Sequence, residues 1–544
     1  MIEFEKVSFG FPDKDLYYRI SFEIESGEHA VLIGSNGCGK STLAQLIMHE
    51  ERYTYEGRIV RPDGIRIGYV PQFIPHEAQD TTVYDFLAAP LLALLERADA
   101  AAAKMADAED MDAALSEYQS ASDDISSADA YNYDANIRQE LALSGLTHTA
   151  DLPVRAVSGG EYKLLCIIRS MLVKPPLLIL DEPDVFLDFD NIIGLSRLIN
   201  NYDGTLLSIT HSRLLLSLCF DKILHIENME LQQFPGSFAE YSRWLLETKI
   251  ELFEAAKEFD DYIRAQKRLL KRLQKSAELT TDPKLGKRIQ ARKKLIERMK
   301  TIRGSDPFLD GREYDFSFSS AETGSADSED PTPVIAVKDF NAVFGDRTVL
   351  RGASFELCPG QKAAIVGANG TGKTTLLRHI CDELTKSMPD GSVGYFGQII
   401  ETGEDPMSGG ERSMAELAAL RSRPRSVLLL DEPTSHLDVY AQRALEKALR
   451  EFSGTVLLVS HDFFTVTSCA DRIFIIENGT LRETSGRAYR KSIYQNYFTS
   501  DVLEAERRRI DTELRINKLI RAGKFDEARA LLDELPIPPT GVQS

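Results

Sequence analysis

Short apolar runs that lead into glycine or polar residues recur along the chain and predict buried strands. HAVLI leads into a glycine-rich loop, LLILDE ends in two carboxylates at Asp181 and Glu182, and TLLSITHS reaches His211. Each run has the length of a buried strand and falls well short of the roughly 18–20 residues that cross a bilayer. Helical sequences follow the strands, and this strand–loop–helix pattern predicts an α/β fold.

Two longer stretches have helical spacing. Residues 83–156 are rich in Ala, Asp and Ser and predict a surface helical hairpin with a loose acidic turn at SASDDISSADAYNYDAN. Residues 246–303 place Ile263, Leu270 and Leu273 at heptad-like spacing, followed by the turn LTTDPKLGK and a second helical seam. The second stretch predicts an antiparallel helical hairpin.

Charge is distributed unevenly along the chain. The formal net charge is −20, yet Lys and Arg outnumber Asp and Glu by more than two to one between Lys257 and Arg303. A solvated coiled-coil face explains such a run, and so does contact with phosphate groups. The six cysteines are scattered without a CxxC pair, which argues against zinc and iron–sulfur sites and favours a reducing, cytoplasmic compartment. The N-terminal MIEFEKVSFGF alternates like a strand and predicts no signal sequence.

The glycine-rich loop has the GxxxxGK[ST] pattern and lies between a predicted strand and a predicted helix. Its glycines let backbone N–H groups and a helix N-terminus surround a phosphate, while Lys40 reaches the β- and γ-phosphates and Ser41 binds Mg²⁺. The predicted phosphate contacts are Gly34, Ser35, Asn36, Gly37, Cys38, Gly39, Lys40, Ser41 and Thr42.

Three polar residues at strand ends fit the chemistry of a bound nucleotide. Asp181 is placed to hold Mg²⁺, Glu182 to orient or deprotonate an attacking water, and His211 to sense the γ-phosphate. A second anion site is predicted where a helix opens at Ser158, Gly159 and Gly160.

The whole series returns in the second half of the chain, which makes the architecture an internal repeat. The repeated phosphate contacts are Gly367, Ala368, Asn369, Gly370, Thr371, Gly372, Lys373, Thr374 and Thr375. The repeated helix opening is Ser408, Gly409 and Gly410, and the repeated strand ends are Asp431, Glu432 and His461. Glu432 and His461 therefore share the predicted roles of Glu182 and His211.

The repeated series resembles the ATP-binding cassette ATPases, whose Walker A, Q-loop, signature, Walker B, D-loop and switch histidine occur in this order. The resemblance implies that Phe11 and Phe344 stack on adenine. It also implies that each ATP lies between the phosphate loop of one half and the SGGE signature of the other, so that Lys40 pairs with Ser408 and Lys373 with Ser158. The implied Mg²⁺ ligands are Ser41, Gln72, Asp181, Thr374, Gln398 and Asp431.

With a basic linker and no predicted membrane span, the chain resembles the ABC-F family of these ATPases. That resemblance implies a cytoplasmic monomer that binds ATP and Mg²⁺, pairs its two cassettes within one chain, and modulates translation or protects the ribosome from antibiotics. The linker is then expected to enter the ribosome tip first and to contact rRNA or tRNA through Lys284, Lys287 and Arg288. The expected domains are a first cassette at 1–245, a hairpin linker at 246–303, an acidic connector at 304–332, a shortened second cassette at 333–500 and a helical tail at 501–544.

Two departures from the cassette pattern predict that the two sites hydrolyse ATP unequally. The first D-loop region reads DEPDVFLD, and Asp184 adds a negative charge beside Asp181 and Glu182 that is expected to weaken the Mg²⁺–ATP geometry or to alter communication between the sites. In the second cassette only IIETGEDPM separates Gln398 from Ser408, where cassettes usually carry a helical subdomain. The site that uses Lys40 and Ser408 is expected to be the weaker one.

Two other classes of function compete with this interpretation. The ATPase subunit of a two-component transporter would need a surface that docks membrane helices, and the shortened second cassette argues against it. A regulatory scaffold that binds ATP with little turnover would not need both glutamates and both histidines, although the DEPDVFLD variation keeps this alternative open.

Overall fold

The structure is a computed structural model. It describes residues 1–12, 14–62, 65–75, 80–105, 110–279, 289–290, 292–294, 314, 316–320, 332–344, 347–389, 391–398, 409–497 and 500–535.

The first cassette consists of two sheets. A three-stranded antiparallel sheet has the order β2-β1-β4, and a six-stranded sheet has the order β5-β6-β7-β3-β8-β9, parallel except for β9. Strands β6 and β7 are buried at every residue, as expected of apolar runs covered on both faces. The strands are β1 (Ile2–Phe11), β2 (Lys14–Ile24), β3 (His29–Gly34), β4 (Glu56–Val60), β5 (Ile67–Val70), β6 (Leu177–Asp181), β7 (Thr205–Ile209), β8 (Lys222–Glu227) and β9 (Glu230–Pro235).

Helices cover the six-stranded sheet and form an insertion between β5 and β6. The helices are α1 (Lys40–Met48), α2 (Val83–Met105), α3 (Met111–Ala128), α4 (Tyr133–Ser144), α5 (Gly159–Leu172), α6 (Phe189–Asn200) and α7 (Arg213–Leu218). Short 3₁₀ turns occur at Glu50–Arg52, Ala130–Asn132, Thr147–Thr149 and Val154–Ala156. The insertion packs on the signature helix α5, where the Arg169 guanidinium lies 4.5 Å from the ring centre of Phe86.

The prediction of a loose acidic turn at residues 120–136 was wrong. Helix α3 continues to Ala128, and α4 starts at Tyr133 after a single 3₁₀ turn. The acidic side chains are compatible with helix because Asp124 pairs with Arg66 and, at 2.7 Å, with Arg97. Paired in this way, α3 buries a face of Ala121, Ile125 and Ala128.

The second cassette repeats the first. Its six-stranded sheet has the order β13-β14-β15-β12-β16-β17, and β10 pairs with β11 in a separate antiparallel sheet. The strands are β10 (Ile335–Phe344), β11 (Arg347–Leu357), β12 (Lys362–Gly367), β13 (Val393–Phe396), β14 (Val427–Asp431), β15 (Thr455–Val459), β16 (Arg472–Glu477) and β17 (Thr480–Ser485). The helices are α9 (Lys373–Ser387), α10 (Gly409–Arg421), α11 (Val439–Glu451), α12 (Phe463–Cys469) and α13 (Gly486–Tyr497).

The linker and the tail together form a second compact unit. It contains α8 (Phe238–Leu279), α14 (Ser500–Arg521) and α15 (Phe525–Asp533). Its core is made by Leu246, Ile250, Ile516, Ile520, Phe525, Ala528, Leu532 and Leu535. The Lys249 ammonium also donates to Asn517 Oδ1 at 3.0 Å, so the tail fixes the first half of α8.

The described part of the linker consists of α8 and of helical residues at 289–290 and 292–294, and residues 280–287 of the predicted turn LTTDPKLGK lie outside the described residues. Lys284, Lys287 and Arg288 are outside the described residues, so the hairpin tip stays a prediction. Within the described ranges, none of the helices is long and apolar enough to cross a membrane.

We expect the tail to stabilise the linker helix, and Ile520→Ala tests this. Ile520 is fully buried in the shared core, and removing such a side chain costs about 2–5 kcal/mol. Hydrogen–deuterium exchange should accelerate in residues 238–279 and stay unchanged in β6 and β14. Lys518→Ala, at an exposed position of the same helix, is the matched control. Unchanged protection of α8 in Ile520→Ala would contradict a stabilising role for the tail.

Candidate functional site

Both phosphate loops leave the carboxyl end of a parallel strand and run into a helix. Strand β3 ends at Gly34 and α1 begins at Lys40, while β12 ends at Gly367 and α9 begins at Lys373. Gly34 has φ +155°, and a Cβ there would lie 2.2 Å from the Ile226 carbonyl oxygen, so no side chain fits. The loops therefore have the backbone geometry that the GxxxxGK[ST] pattern predicts.

The two loop lysines are held in the same way. Lys40 Nζ donates to the carbonyls of Gly34 and Ser35, both at 3.1 Å. Lys373 Nζ donates to the carbonyls of Gly367 and Ala368, both at 2.8 Å. Both ammonium groups are buried, so each loop holds a positive charge where a phosphate would bind.

The carboxylates at the ends of β6 and β14 lie beside the loop hydroxyls. Ser41 Oγ donates to Asp181 Oδ1 at 3.3 Å, and the Tyr69 hydroxyl donates to Asp181 Oδ2 at 3.2 Å. Burial raises the pKa of Asp431, and the nearby Thr374 hydroxyl and the charge of Lys373 oppose this effect. A hydroxyl next to a carboxylate is an oxygen donor set that fits Mg²⁺.

The two candidate catalytic glutamates have the same backbone but different partners. Glu182 has φ 46° and Glu432 has φ 49°, a left-handed conformation that is typical of functional sites in residues other than glycine. Gln72 Nε2 donates to Glu182 Oε2 at 2.8 Å. In the second cassette the His461 backbone N–H donates to Glu432 Oε2 at 3.2 Å, and His461 Nε2 lies 3.5 Å from Glu432 Oε1.

Burial dominates the electrostatics around both glutamates. It raises the pKa of Glu182 to about 7 and that of Glu432 to about 8. It also lowers the pKa of His211 and of His461 well below the ordinary value, so both imidazoles are neutral at pH 7. Neither ring nitrogen of His211 has a hydrogen-bond partner among the described residues, whereas His461 is oriented against Glu432.

The phosphate loop of each half contacts the D-loop of the other. Asn36 Nδ2 donates to the His436 carbonyl at 2.6 Å, and the Asn36 N–H donates to Asp438 Oδ2 at 3.3 Å. The same two contacts recur in the opposite sense. Asn369 Nδ2 donates to the Phe186 carbonyl at 2.8 Å and its N–H donates to Asp188 Oδ2 at 3.3 Å.

The signature glycines lie against the same loop asparagines. A Cβ at Gly160 would lie 3.2 Å from Asn369 Nδ2, and a Cβ at Gly410 would lie 2.1 Å from Asn36 Nδ2. Ser158 caps α5, since its Oγ accepts from the Glu161 N–H at 3.3 Å and its own N–H donates to Glu161 Oε2 at 2.7 Å. Ser408 lies outside the described residues. The structure thus brings each described signature to the loop predicted to be its partner.

A cavity of about 600 Å³ joins the two half-sites. Its lining includes Gln72, Glu182, His211, Lys373, Glu432 and His461. Gln398 also borders it.

The two predicted adenine contacts lie as follows. Phe11 is on the surface, 45% exposed, with its ring 5.4 Å from that of Phe9. The side chain of Phe344 is outside the described part of the chain.

Sequence reasoning missed Lys163, which lies in the signature helix of the first cassette. Its buried ammonium donates to the carbonyls of Gln72 at 3.0 Å, Glu182 at 2.7 Å and Val185 at 3.2 Å. Burial lowers its pKa to about 8, while the charge of Asp184, followed by those of Glu182 and Asp181, opposes this.

This environment explains the unusual D-loop. The acidic Asp184 accepts from the Thr210 hydroxyl and has Lys163 as a nearby cation. The second cassette has Ser413 and Thr434 at the corresponding positions. Among the described residues, Ser413 Oγ donates one hydrogen bond, to the Ser435 carbonyl at 3.4 Å. An alignment of the two repeats contains the signal for this pair. The first cassette has a lysine and an aspartate, Lys163 and Asp184, where the second has the hydroxyl residues Ser413 and Thr434.

The family described as ABC transporter matches residues 17–185 and 350–405. The chain is 26% identical to the putative ATP-binding protein YdiF of Bacillus subtilis, over 98% of this chain and 88% of that protein. It is 29% identical to the energy-dependent translational throttle protein EttA of Haemophilus influenzae, over 85% of this chain and 89% of that protein.

Solved structures share the tandem fold at low sequence identity. The RNase-L inhibitor superposes with a TM-score of 0.55 at 17% identity, over 90% of this chain and 93% of that one. The archaeal ribosome recycling factor aABCE1, solved with the stalk protein aP1, gives 0.53 at 17% identity, over 90% and 92%. Two complete motif series, two cassette folds and these relatives lead to one assignment: the chain is a tandem ATP-binding cassette ATPase, and it resembles the ABC-F family.

Proposed function

We propose that the chain binds ATP with Mg²⁺ at two composite sites and uses the cycle of closure and hydrolysis to control binding to the ribosome during translation. The observation that supports the two sites best is the reciprocal contact of Asn36 and Asn369 with the opposite D-loops. Neither half presents a complete site alone, so nucleotide and cassette pairing depend on each other.

In the proposed roles, the loop residues around Lys40 and Lys373 bind the phosphates, and the signature of the opposite half closes over them. Mg²⁺, which such domains bind together with ATP, would be held by Ser41 and Asp181 in one site and by Thr374 and Asp431 in the other, and would neutralise phosphate charge there. Gln72 and Gln398 complete the proposed Mg²⁺ ligands. Phe11 and Phe344 are the proposed adenine contacts. Glu182 and Glu432 orient a water, and His211 and His461 contact the γ-phosphate.

The ribosome is proposed as the partner on two grounds. One relative over most of the chain is described as a translational throttle. The second ground is the charge of α8, whose distal part carries the exposed Lys267, Arg268, Lys271, Arg272 and Lys275. A row of cations on an otherwise acidic protein favours contact with an RNA backbone at this row and repels it elsewhere.

Glu432→Gln is expected to lower ATP turnover more than Glu182→Gln. His461 is already oriented against Glu432, and the site of Glu432 uses the well-capped signature at Ser158, whereas Glu182 is bonded to Gln72. A positioned general base accelerates its step about 10²–10⁴-fold, so its removal nearly silences that site. If the Glu432 site supplies most of the hydrolysis, Glu432→Gln should remove at least about nine-tenths of ATP turnover. Steady-state phosphate release measures this, with ATP binding as the control. Equal losses would contradict the inequality.

ATP-dependent ribosome binding is tested with the Glu182→Gln/Glu432→Gln double variant. With hydrolysis blocked, the closed form should persist, and the protein should co-sediment with ribosomes in ATP and remain free in ADP. Free protein in every fraction, with ATP bound, would refute the ribosome proposal. If the protein binds ribosomes, two further assays distinguish the two proposed effects. Protection of the ribosome predicts that cells with the protein grow in antibiotic. Modulation of translation predicts that the rate of protein synthesis changes in the absence of antibiotic.

The exposed cations on α8 are tested by adding Lys267→Glu/Lys271→Glu/Lys275→Glu to the Glu182→Gln/Glu432→Gln double variant. Each lost phosphate contact should reduce the slope of log affinity against log salt by about one. A second variant, Lys284→Glu/Lys287→Glu/Arg288→Glu, tests the proposed tip. Lys338→Glu/Lys386→Glu/Lys447→Glu, at exposed positions of the second cassette, is the matched control for total charge. Unchanged ribosome affinity in both linker variants would exclude the linker as the RNA contact.

A further inference from the structure

Arg213 of the first cassette inserts its guanidinium into the second cassette. Its Nη2 donates to Glu446, to Asp462 Oδ2 at 2.8 Å and to Thr465 Oγ1 at 3.3 Å. The Arg213 side chain is 2% exposed, as is that of Glu446. Its guanidinium carbon also lies 5.0 Å from the ring centre of Phe464. A buried charge held in this way is well ordered and depends strongly on its partners.

The contact reaches the catalytic pair of the second cassette through one residue. Asp462 directly follows His461, and its Oδ1 accepts from the Phe464 N–H at 2.9 Å, which caps α12. Burial opposes ionisation of Asp462, but the charge of Arg213 overrides it and lowers the pKa of Asp462. The His461 backbone N–H in turn donates to Glu432 Oε2 at 3.2 Å.

The two halves carry complementary parts of this contact. The first switch region reads THSRLLL and the second reads SHDFFTV, so that Ser212 corresponds to Asp462 and Arg213 to Phe463. Ser212 caps its own helix, with its Oγ accepting from the Leu215 N–H at 3.4 Å. Phe463 packs its ring 6.0 Å from that of Phe189 in the first cassette. The ion pair therefore forms in one direction only, from the first cassette to the second.

We infer that Arg213 is a positioning residue, supplied by the first cassette, for ATP hydrolysis at the site that contains Lys373, Glu432 and His461. The inference rests on the proposed roles of Glu432 and His461. Arg213 holds Asp462, Asp462 fixes the turn after His461, and this turn presents the backbone N–H and imidazole to Glu432. Separation of the cassettes removes Arg213 from Asp462, so that the pair at this site is assembled only when the halves are closed.

The test isolates each site with a glutamate variant. In the Glu182→Gln background, which leaves the Glu432 site active, Arg213→Met should lower kcat at least about tenfold with little change in KM, because it removes positioning and leaves the nucleotide contacts. Arg213→Lys should restore part of kcat. In the Glu432→Gln background the same Arg213→Met change should have a much smaller effect. Arg155→Met, which removes an exposed pair with Asp80, is the matched control.

Two further measurements separate positioning from folding. Arg213→Met and Asp462→Asn should be non-additive in kcat, because they break the same contact. The Arg213→Met/Glu446→Gln/Asp462→Asn triple variant removes all three charges of this contact, so its turnover should stay low even when its Tm is that of the parent.

Equal losses of kcat in both backgrounds, or recovery of turnover in the triple variant, would overturn the inference. If Glu432→Gln itself leaves turnover intact, the proposed role of Glu432 fails instead. The two failures are therefore distinguishable.

Discussion

The reciprocal contact between each phosphate loop and the opposite D-loop is the constraint on which both sites depend. Asn36 and Asn369 each use a side-chain amide and a backbone N–H to reach a carbonyl and a carboxylate on the other half. These four bonds fix the distance at which each signature glycine meets the opposite loop. Each cassette therefore contributes residues to the candidate nucleotide site of the other, which is the physical basis of the proposed link between ATP and closure.

On this nearly symmetric frame, the polar residues around the glutamates are paired differently. Lys163 donates to three carbonyls and lies near Asp184, so it ties the signature helix of the first cassette to its Q-loop and D-loop. Ser413 makes one bond at the corresponding place in the second cassette. The first cassette thus pairs its buried Lys163 with its own carbonyls. The second cassette pairs its Glu446 and Asp462 with Arg213 of the opposite half.

The linker shows how a charged helix is stabilised. The first half of α8 packs against α14 and α15 through an apolar core, and Arg509 and Glu513 form a buried pair within the same unit. Among the described residues, α8 contributes Leu246 and Ile250 to this core, whereas Lys267, Arg268, Lys271, Arg272 and Lys275 farther along the helix are exposed. The apolar contacts therefore hold the first part of the helix, and the exposed cations are available to a partner.

The sequence by itself determined the local geometry and the chemistry of the sites. Glycine at positions 34 and 367, the buried strands ending at Asp181 and Asp431, and the order of the motifs predicted the loops and the α/β fold, because these features depend on neighbours in the chain. The tertiary structure decided what those residues pair with. Gln72 bonds Glu182 while His461 faces Glu432, Lys163 lies near Asp184, and Arg213 reaches Asp462 across the cassettes. Such pairings depend on burial and on contacts between distant segments, and a one-dimensional pattern does not contain either.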